Sequence, residues 1–365
     1  MKKYLKKRTI GAISFCLMIT AACLLYIGCS KECNLCRIYE PNHFKLVPFE
    51  CSIIGEINVT KLSKLDTVKK QIEENKDTAF VKELENAGIG WNNIKSLCFA
   101  ISPPIQMQGN TPSPNALILV EANNKIDIEK LIPIVEKEIK KKITSEKIGS
   151  QMVYLIPQDD NQQIFISKLK DNLVAIGTKS IIKKTIDLDN GKGKSIADNA
   201  KLMKLVDNAK QNNMFWVGCV IEKDLLKSLG IEASMAKAQD ILIYADYSKD
   251  ALAIGGSINC TSKQEAQKIL AQAQMLTAMF IVNPDNGINN EDVSLTVDKS
   301  ELNVKISIPK QTLEKLAEQQ MQNLPVTATP QVKTKSGKKM KATTPESLPK
   351  PIKPEAIHHT KTSKH

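Results

Sequence analysis

From residue 51 onward, short apolar runs alternate with segments whose apolar positions recur every three or four residues. The first kind predicts strands and the second amphipathic helices. "CSIIGEIN" at 51–58 reads as a strand. A helix over 61–86 follows, with Leu62, Leu65, Val68, Ile72, Val81 and Leu84 mostly at helical spacing, and it ends before Gly88. Strands at 95–102 and 116–122 flank "PPIQMQGNTPSP", whose four prolines predict a loop. Asp127 then caps a helix reaching about residue 142, with Ile128, Leu131, Ile132, Val135 and Ile139 on one face. Strands at 151–157, 162–168 and 172–177 read as a meander, with a short helix near 179–187.

After "DNGKGKS" the order restarts. A helix at 196–210 leads to the strand "MFWVGCVIE", a short helix ending at Gly230, the strands "DILIYADYS" and "ALAIGGSIN", a helix over 263–280, the strands "DVSLTVD" and "ELNVKISI", and a last helix over 310–323. "CSIIGEINVTKL" falls over "FWVGCVIEKDLL", with Gly55 above Gly218 and Leu62 above Leu225, so the order of elements reads as an internal repeat. Helices gathered between strand pairs predict an α+β fold: two similar modules, 50–190 and 191–324, each an antiparallel sheet with helices packed on one face. A doubly wound parallel sheet would need a helix after nearly every strand. At the level of architecture the pattern resembles exported bacterial proteins of unknown function built from duplicated α+β modules, and it carries no site residues over.

The ends have a different character. Residues 9–28 carry no charge and follow Lys2, Lys3, Lys6, Lys7 and Arg8, so residues 1–28 read as a signal peptide or membrane anchor with the basic cluster on the cytoplasmic side. Tyr26-Ile27-Gly28-Cys29 resembles the lipobox of bacterial lipoproteins, with the small residue in front of the cysteine and Tyr26 where the family usually has leucine; Thr20-Ala21-Ala22-Cys23 is a second partial match. The resemblance implies lipidation at Cys29, and an uncleaved anchor or simple secretion are the alternatives. Residues 29–49 read as a polar leader in which Cys33 and Cys36 form a CxxC pair. That pair lacks the strand-to-helix setting that lowers a redox thiol's pKa, so a local disulfide, further acylation or inert thiols compete with redox use. The tail, 325–365, has six prolines and nine lysines without an aromatic residue, and reads as disordered. It is either a solubilising tail or an electrostatic attachment to an anionic envelope polymer.

Composition changes the picture mainly by exclusion. The net charge of +12 sits in the two ends, which leaves the body nearly neutral and without a nucleic-acid footprint. Arginine occurs only at 8 and 37, and histidine only at 43, 358, 359 and 365, so a body starting near residue 50 has no imidazole base and no guanidinium fork. Cys51, Cys98, Cys219 and Cys260 stand singly in apolar stretches, where buried free thiols are expected, and no metal-ligand spacing is present. "DLDNGKGKS" at 187–195 fits neither a phosphate loop nor a calcium loop and reads as a solvated connector. "NPDNGINNED" at 283–292 reads as a long turn, "QDDNQQ" at 158–163 as a hairpin tip, Trp91 and Trp216 as core, and His358-His359 as lacking preorganised metal geometry. The sequence thus predicts an exported protein of the cell envelope, on the periplasmic side or the cell surface. It is held at the membrane by an N-terminal lipid or helix and has a binding or structural role, with no catalytic residues, cofactor or metal and with protein partners left open. The alternatives are a carboxylate-dependent hydrolase acting on envelope glycans and a thiol-redox lipoprotein.

Overall fold

The computed structural model describes residues 41–108, 111–157, 163–209, 213–222, 237–248, 251–281 and 289–313. All of them fall within one compact unit. A 3-10 turn, Pro41–Leu46, opens it. Strand β1 (Ile53–Asn58) leads into three short helices, α1 (Val59–Leu62), α2 (Asp66–Asn75) and α3 (Ala79–Asn86), and then into the hairpin of β2 (Ile94–Gln108) and β3 (Thr111–Ala122). Helix α4 (Ile128–Ile139) precedes the meander β4 (Thr144–Ile148), β5 (Gln151–Pro157), β6 (Gln163–Lys170) and β7 (Leu173–Gly177). Next come α5 (Lys179–Asp189), a 3-10 turn at Ile196–Asp198, α6 (Ala200–Ala209), β8 (Phe215–Val220), β9 (Ala238–Ser248), β10 (Ala251–Cys260), α7 (Lys263–Ile281), β11 (Val293–Asp298) and β12 (Glu301–Pro309).

The α+β class expected from the pattern holds. The structure adds that, among the described residues, the strands form a single sheet of twelve in the order β11-β12-β10-β9-β8-β1-β2-β3-β7-β6-β5-β4, every named ladder antiparallel. The join is the β1–β8 ladder, where Ile53 lies opposite Cys219, Gly55 opposite Val217 and Ile57 opposite Phe215. On either side of that join the strand order has the same form, since the final strand returns beside the third: β7 beside β3 and β12 beside β10. The Gly55-over-Gly218 alignment needs a one-residue shift, however. Gly55 shares its face with its partner Val217, which puts Gly218 on the other face, and a slip of one residue reverses every side chain.

Helices cover both faces. Ile54, Cys98, Leu119, Ala175 and Trp216 line one face under α5, α6 and the opening turn, which supply Ile181, Ile182, Leu202, Leu205 and Phe44. Ile57, Val120, Val174 and Ala245 line the other under α1 and α4. Alternation along β10 puts Ile258 on the same face as Leu252 and Ile254, so α7, which packs on Ile258 and Leu302, covers that second face too.

Several boundaries differ from expectation for local reasons. The helix expected over 61–86 is three helices, because Asn58 and Thr78 each cap a new start by accepting from the N–H three residues on. The proline-rich stretch expected as a loop continues the β2–β3 hairpin. Pro103 and Pro104 fall at the register shift between Ser102 and Gln106, and β1 pairing stops at Ile101 while β7 pairing begins at Leu117, so no further ladder needs the missing N–H groups. β4 escaped the pattern because four of its five side chains are exposed at the sheet edge. "DLDNGKGKS" ends α5 and turns through Gly191 and Gly193, both at positive φ, into Ser195, which forms a capping box with Asp198.

Candidate functional site

Two polar groups stand out, one sealed and one open. The sealed group begins at Glu56 on β1, directly opposite Cys98 on β2 and Trp216 on β8, and only 4% exposed. Ser96 and Trp216 hydrogen-bond its carboxyl group; burial nevertheless dominates and, with Glu121 adding to it, raises the Glu56 pKa to about 7. Ser96 lies opposite Glu121 on β3, and its hydroxyl donates to Glu121 Oε2 at 3.3 Å. Ser96 thus stands between the two carboxyls, within hydrogen-bond reach of both Glu56 and Glu121. A bulge between Ile94 and Ser96 swings Lys95 to the same carboxylate, with Nζ 2.8 Å from Glu121 Oε1.

The opening turn closes this group from above. His43 is 8% exposed, with Nδ1 3.9 Å from Glu121 Oε2, and Phe44 is fully buried, edge-on to Trp216 at 6.1 Å between centroids. Burial lowers the His43 pKa below its ordinary value against the pull of Glu121, while Lys95 lowers it further. This corrects two expectations. The polar leader does not extend to residue 49, because Phe44, Leu46 and Val47 are core residues, and the folded body does contain an imidazole. Its signal was the apolar spacing Phe44, Leu46, Val47 just before the first strand.

Cys51, Cys98, Cys219 and Cys260 are free thiols, as expected. Burial pushes Cys51 and Cys219 up to about 12, Cys98 well above its ordinary value and Cys260 upward, so none is poised as a thiolate nucleophile. Cys29, Cys33 and Cys36, His358-His359, the 325–365 tail, residues 158–162 of the hairpin tip, the helix ending at Gly230 and residues 282–288 lie outside the described residues. Among the described residues no cluster of metal-ligating side chains occurs and no helix is long and apolar enough to cross a membrane.

The open group is a cleft of about 470 Å³ at the end of the β2–β3 hairpin away from its tip, formed by the α3–β2 turn and the β3–α4 turn. Its walls include Glu85, Asn86, Gly88, Asn92, Asn93 and Asn124. Asn93 ties the two turns together: its side-chain Nδ2 donates to Gly88 O, its Oδ1 accepts from Asn124 N at 2.8 Å, and its backbone O accepts from Asn123 N at 2.7 Å. Gly88 turns at φ +83°, where a Cβ would stand 2.4 Å from Lys125 O. Trp216 is core as expected, but Trp91, between the lining residues Gly90 and Asn92, is 42% exposed. Residues 88–93 and 123–126 fall between the elements that the sequence predicts; the paired asparagines were the available signal.

No known protein family matches the sequence. No curated protein matches it either. Among solved structures, three crystal forms of TP0453, an exported Treponema protein, overlay on it. Form I gives a TM-score of 0.45 at 10% identity, covering 77% of this chain and 97% of that one. Form III gives 0.44 at 6% identity over 75% and 97%, and form IV 0.44 at 10% over 75% and 94%. The likeness passes no residue role to this chain.

Proposed function

We propose that this is an exported cell-envelope protein, held at the membrane through its N-terminal segment by lipid on Cys29, that acts by binding rather than by catalysis. The observation that supports the binding half of this reading is the separation of the two polar groups. Glu56 and Glu121 lie beneath the Pro41–Leu46 turn, while the cleft open to solvent is lined by four asparagines together with Glu85, Asp127, Lys125 and Lys130, and its Asp127 carboxylate is already engaged by Lys130 as the α4 cap. A glycan-cleaving pair needs both carboxyls free to act at one substrate-sized opening, and the Asp127 carboxylate is committed to Lys130. The lipobox resemblance and the charge-free stretch at 9–28 support the anchoring half.

Both halves have a test. Mass spectrometry of the mature chain from isolated membranes is expected to show a first residue of Cys29 carrying diacylglycerol. A soluble cytosolic chain with residues 1–28 intact would overturn the anchor. For the binding half, the purified protein is incubated with isolated cell-wall polymer. It is expected to release no soluble fragments, and release that disappears in Glu85→Gln or Asp127→Asn would establish the hydrolase instead.

A further inference from the structure

We infer that the cleft between the α3–β2 and β3–α4 turns is a subsite for an uncharged glycan segment, one that presents hydroxyl and acetamido groups. This rests on the binding role proposed above and names the ligand class for it.

The lining supplies the right chemistry. Asn86, Asn92 and Asn124 are exposed on the cleft walls, and among the described residues no hydrogen bond engages their side chains. A carboxamide offers two donor hydrogens and an acceptor oxygen, which complements a hydroxyl or acetamido group that is also donor and acceptor. Charge selects against ionic ligands. Glu85 and Asp127 balance Lys125 and Lys130 around the wall, and the Asp127 carboxylate already accepts from Lys130 N at 3.2 Å and pairs with Lys130 Nζ at 3.4 Å. No net field remains to concentrate a phosphate, a nucleic acid or a cationic peptide. An apolar peptide also fits poorly, since Ala87 is the one lining residue with an apolar side chain, and it is fully buried.

Shape and rigidity agree with this assignment. About 470 Å³ lies within the range of small-ligand clefts. The walls are held before any ligand arrives, by both ends of the Asn93 carboxamide and by the Asp127 N to Ala87 O bond at 2.9 Å, so binding orders few groups. Trp91, between the lining residues Gly90 and Asn92, is 42% exposed and so reports on the turn that carries Asn92.

Fluorescence reports on this turn, because the chain has two tryptophans, Trp91 adjoins the lining residue Asn92, and Trp216 is only 5% exposed. The full chain is titrated with a tetrasaccharide of β-1,4-linked N-acetylglucosamine and, in separate arms, with polyglutamate and a neutral tetrapeptide. The expected result is a saturable shift in emission with the tetrasaccharide alone. Binding should weaken at least about tenfold in Asn92→Ala/Asn124→Ala, as expected for the loss of one or two hydrogen bonds, and be unchanged in Glu56→Gln. No saturable response, an undiminished response in the double variant, or an equal response to the tetrapeptide or polyglutamate would overturn the inference. Co-sedimentation of the same proteins with envelope fragments separates its failure from that of the wider reading. If the double variant no longer sediments although the tetrasaccharide is silent, the glycan assignment falls and binding through the cleft stands. If both proteins sediment alike and the tetrasaccharide is silent, the cleft inference falls and the wider binding reading stands; if neither sediments, both fall.

Discussion

Glu56 and Asn92 belong to two polar groups built around the same strand pair, β2 and β3, yet they put polarity to opposite uses. In the sealed group each polar atom answers another: Glu56 to Ser96 and Trp216, Glu121 to Ser96, Lys95 and His43. In the open group one carboxamide, Asn93, is fully committed to structure, and its neighbours Asn92 and Asn124 present exposed side chains. The contrast teaches that the buried carboxyl of raised pKa and the exposed carboxamides are held apart in this molecule. Perturbed pKa values point to functional sites only as a tendency. Here the carboxyl group raised to about 7, Glu56, is only 4% exposed, and so it should govern stability and pH response, whereas the proposed binding role falls to the exposed amides.

The sharpest way to break that division is at the turn covering the sealed group. Phe44→Ala removes a fully buried ring from against Trp216 and is expected to destabilise the fold by about 3–5 kcal/mol in denaturant unfolding. A loss under about 1 kcal/mol would show that Pro41–Leu46 is not part of the core, and the sealed group would have to be reread as accessible.

Next in size is the pH response. Glu56 is raised from 4.5 to about 7 on folding, so between those values the native state holds a proton that the unfolded chain has released. Stability contributed by the protonated form is therefore complete below about 4.5 and lost as pH rises through about 7, by roughly 3 kcal/mol in all. His43 acts in the opposite sense. Its pKa is lowered from 6.5, the unfolded chain binds the extra proton, and its contribution is present above 6.5 and lost in acid. Melting curves across pH 4–8 are expected to lose their downward limb in Glu56→Gln and their upward limb in His43→Gln. Identical pH profiles in wild type and Glu56→Gln would show that Glu56 is not buried in a carboxyl form of raised pKa.

How much of this was legible beforehand follows from what each feature depends on. The strands and helices were readable because periodicity is local: β8 alternates buried Trp216, Gly218 and Val220 with half-buried neighbours, and α4 starts at the Asp127 cap as its sequence says. The joining of the halves into one sheet was not readable, because any strand with two apolar faces can pair on either side, and only assembly chooses β8 as the neighbour of β1. The sealed group was hidden twice over. Glu56 looks like an ordinary polar position in "IIGEIN", its burial being decided by a turn ten residues earlier, and Lys95 reaches Glu121 through a bulge that no sequence period announces. The cleft was hidden because Asn-Asn pairs mark turns in general, and whether two turns meet is a property of the β2–β3 register.

Asn93 tests whether the two groups are as different as the division claims, since it belongs to the cleft wall and yet behaves like a buried bracket. Asn93→Ala deletes the bond to Gly88 O and the acceptor for Asn124 N, and is expected to cost about 1–2 kcal/mol of stability. Faster hydrogen exchange at Asn124 N and Asp127 N should accompany the loss, as the two turns come apart.

The smallest expected effect carries the most discrimination. Asn92→Ala and Asn124→Ala remove exposed carboxamides that hold nothing in place, so each should leave stability within about 0.5 kcal/mol of wild type, measured by denaturant unfolding. A neutral stability change on its own says only that a residue is superficial. Set against a cost at Asn93, one position along the chain from Asn92, it shows that the same side-chain chemistry on the same wall is divided between holding the turns and facing outward. A loss above about 1 kcal/mol at Asn92 or Asn124 would reverse the argument, because the amides would then be part of the scaffold and no longer spare for a ligand.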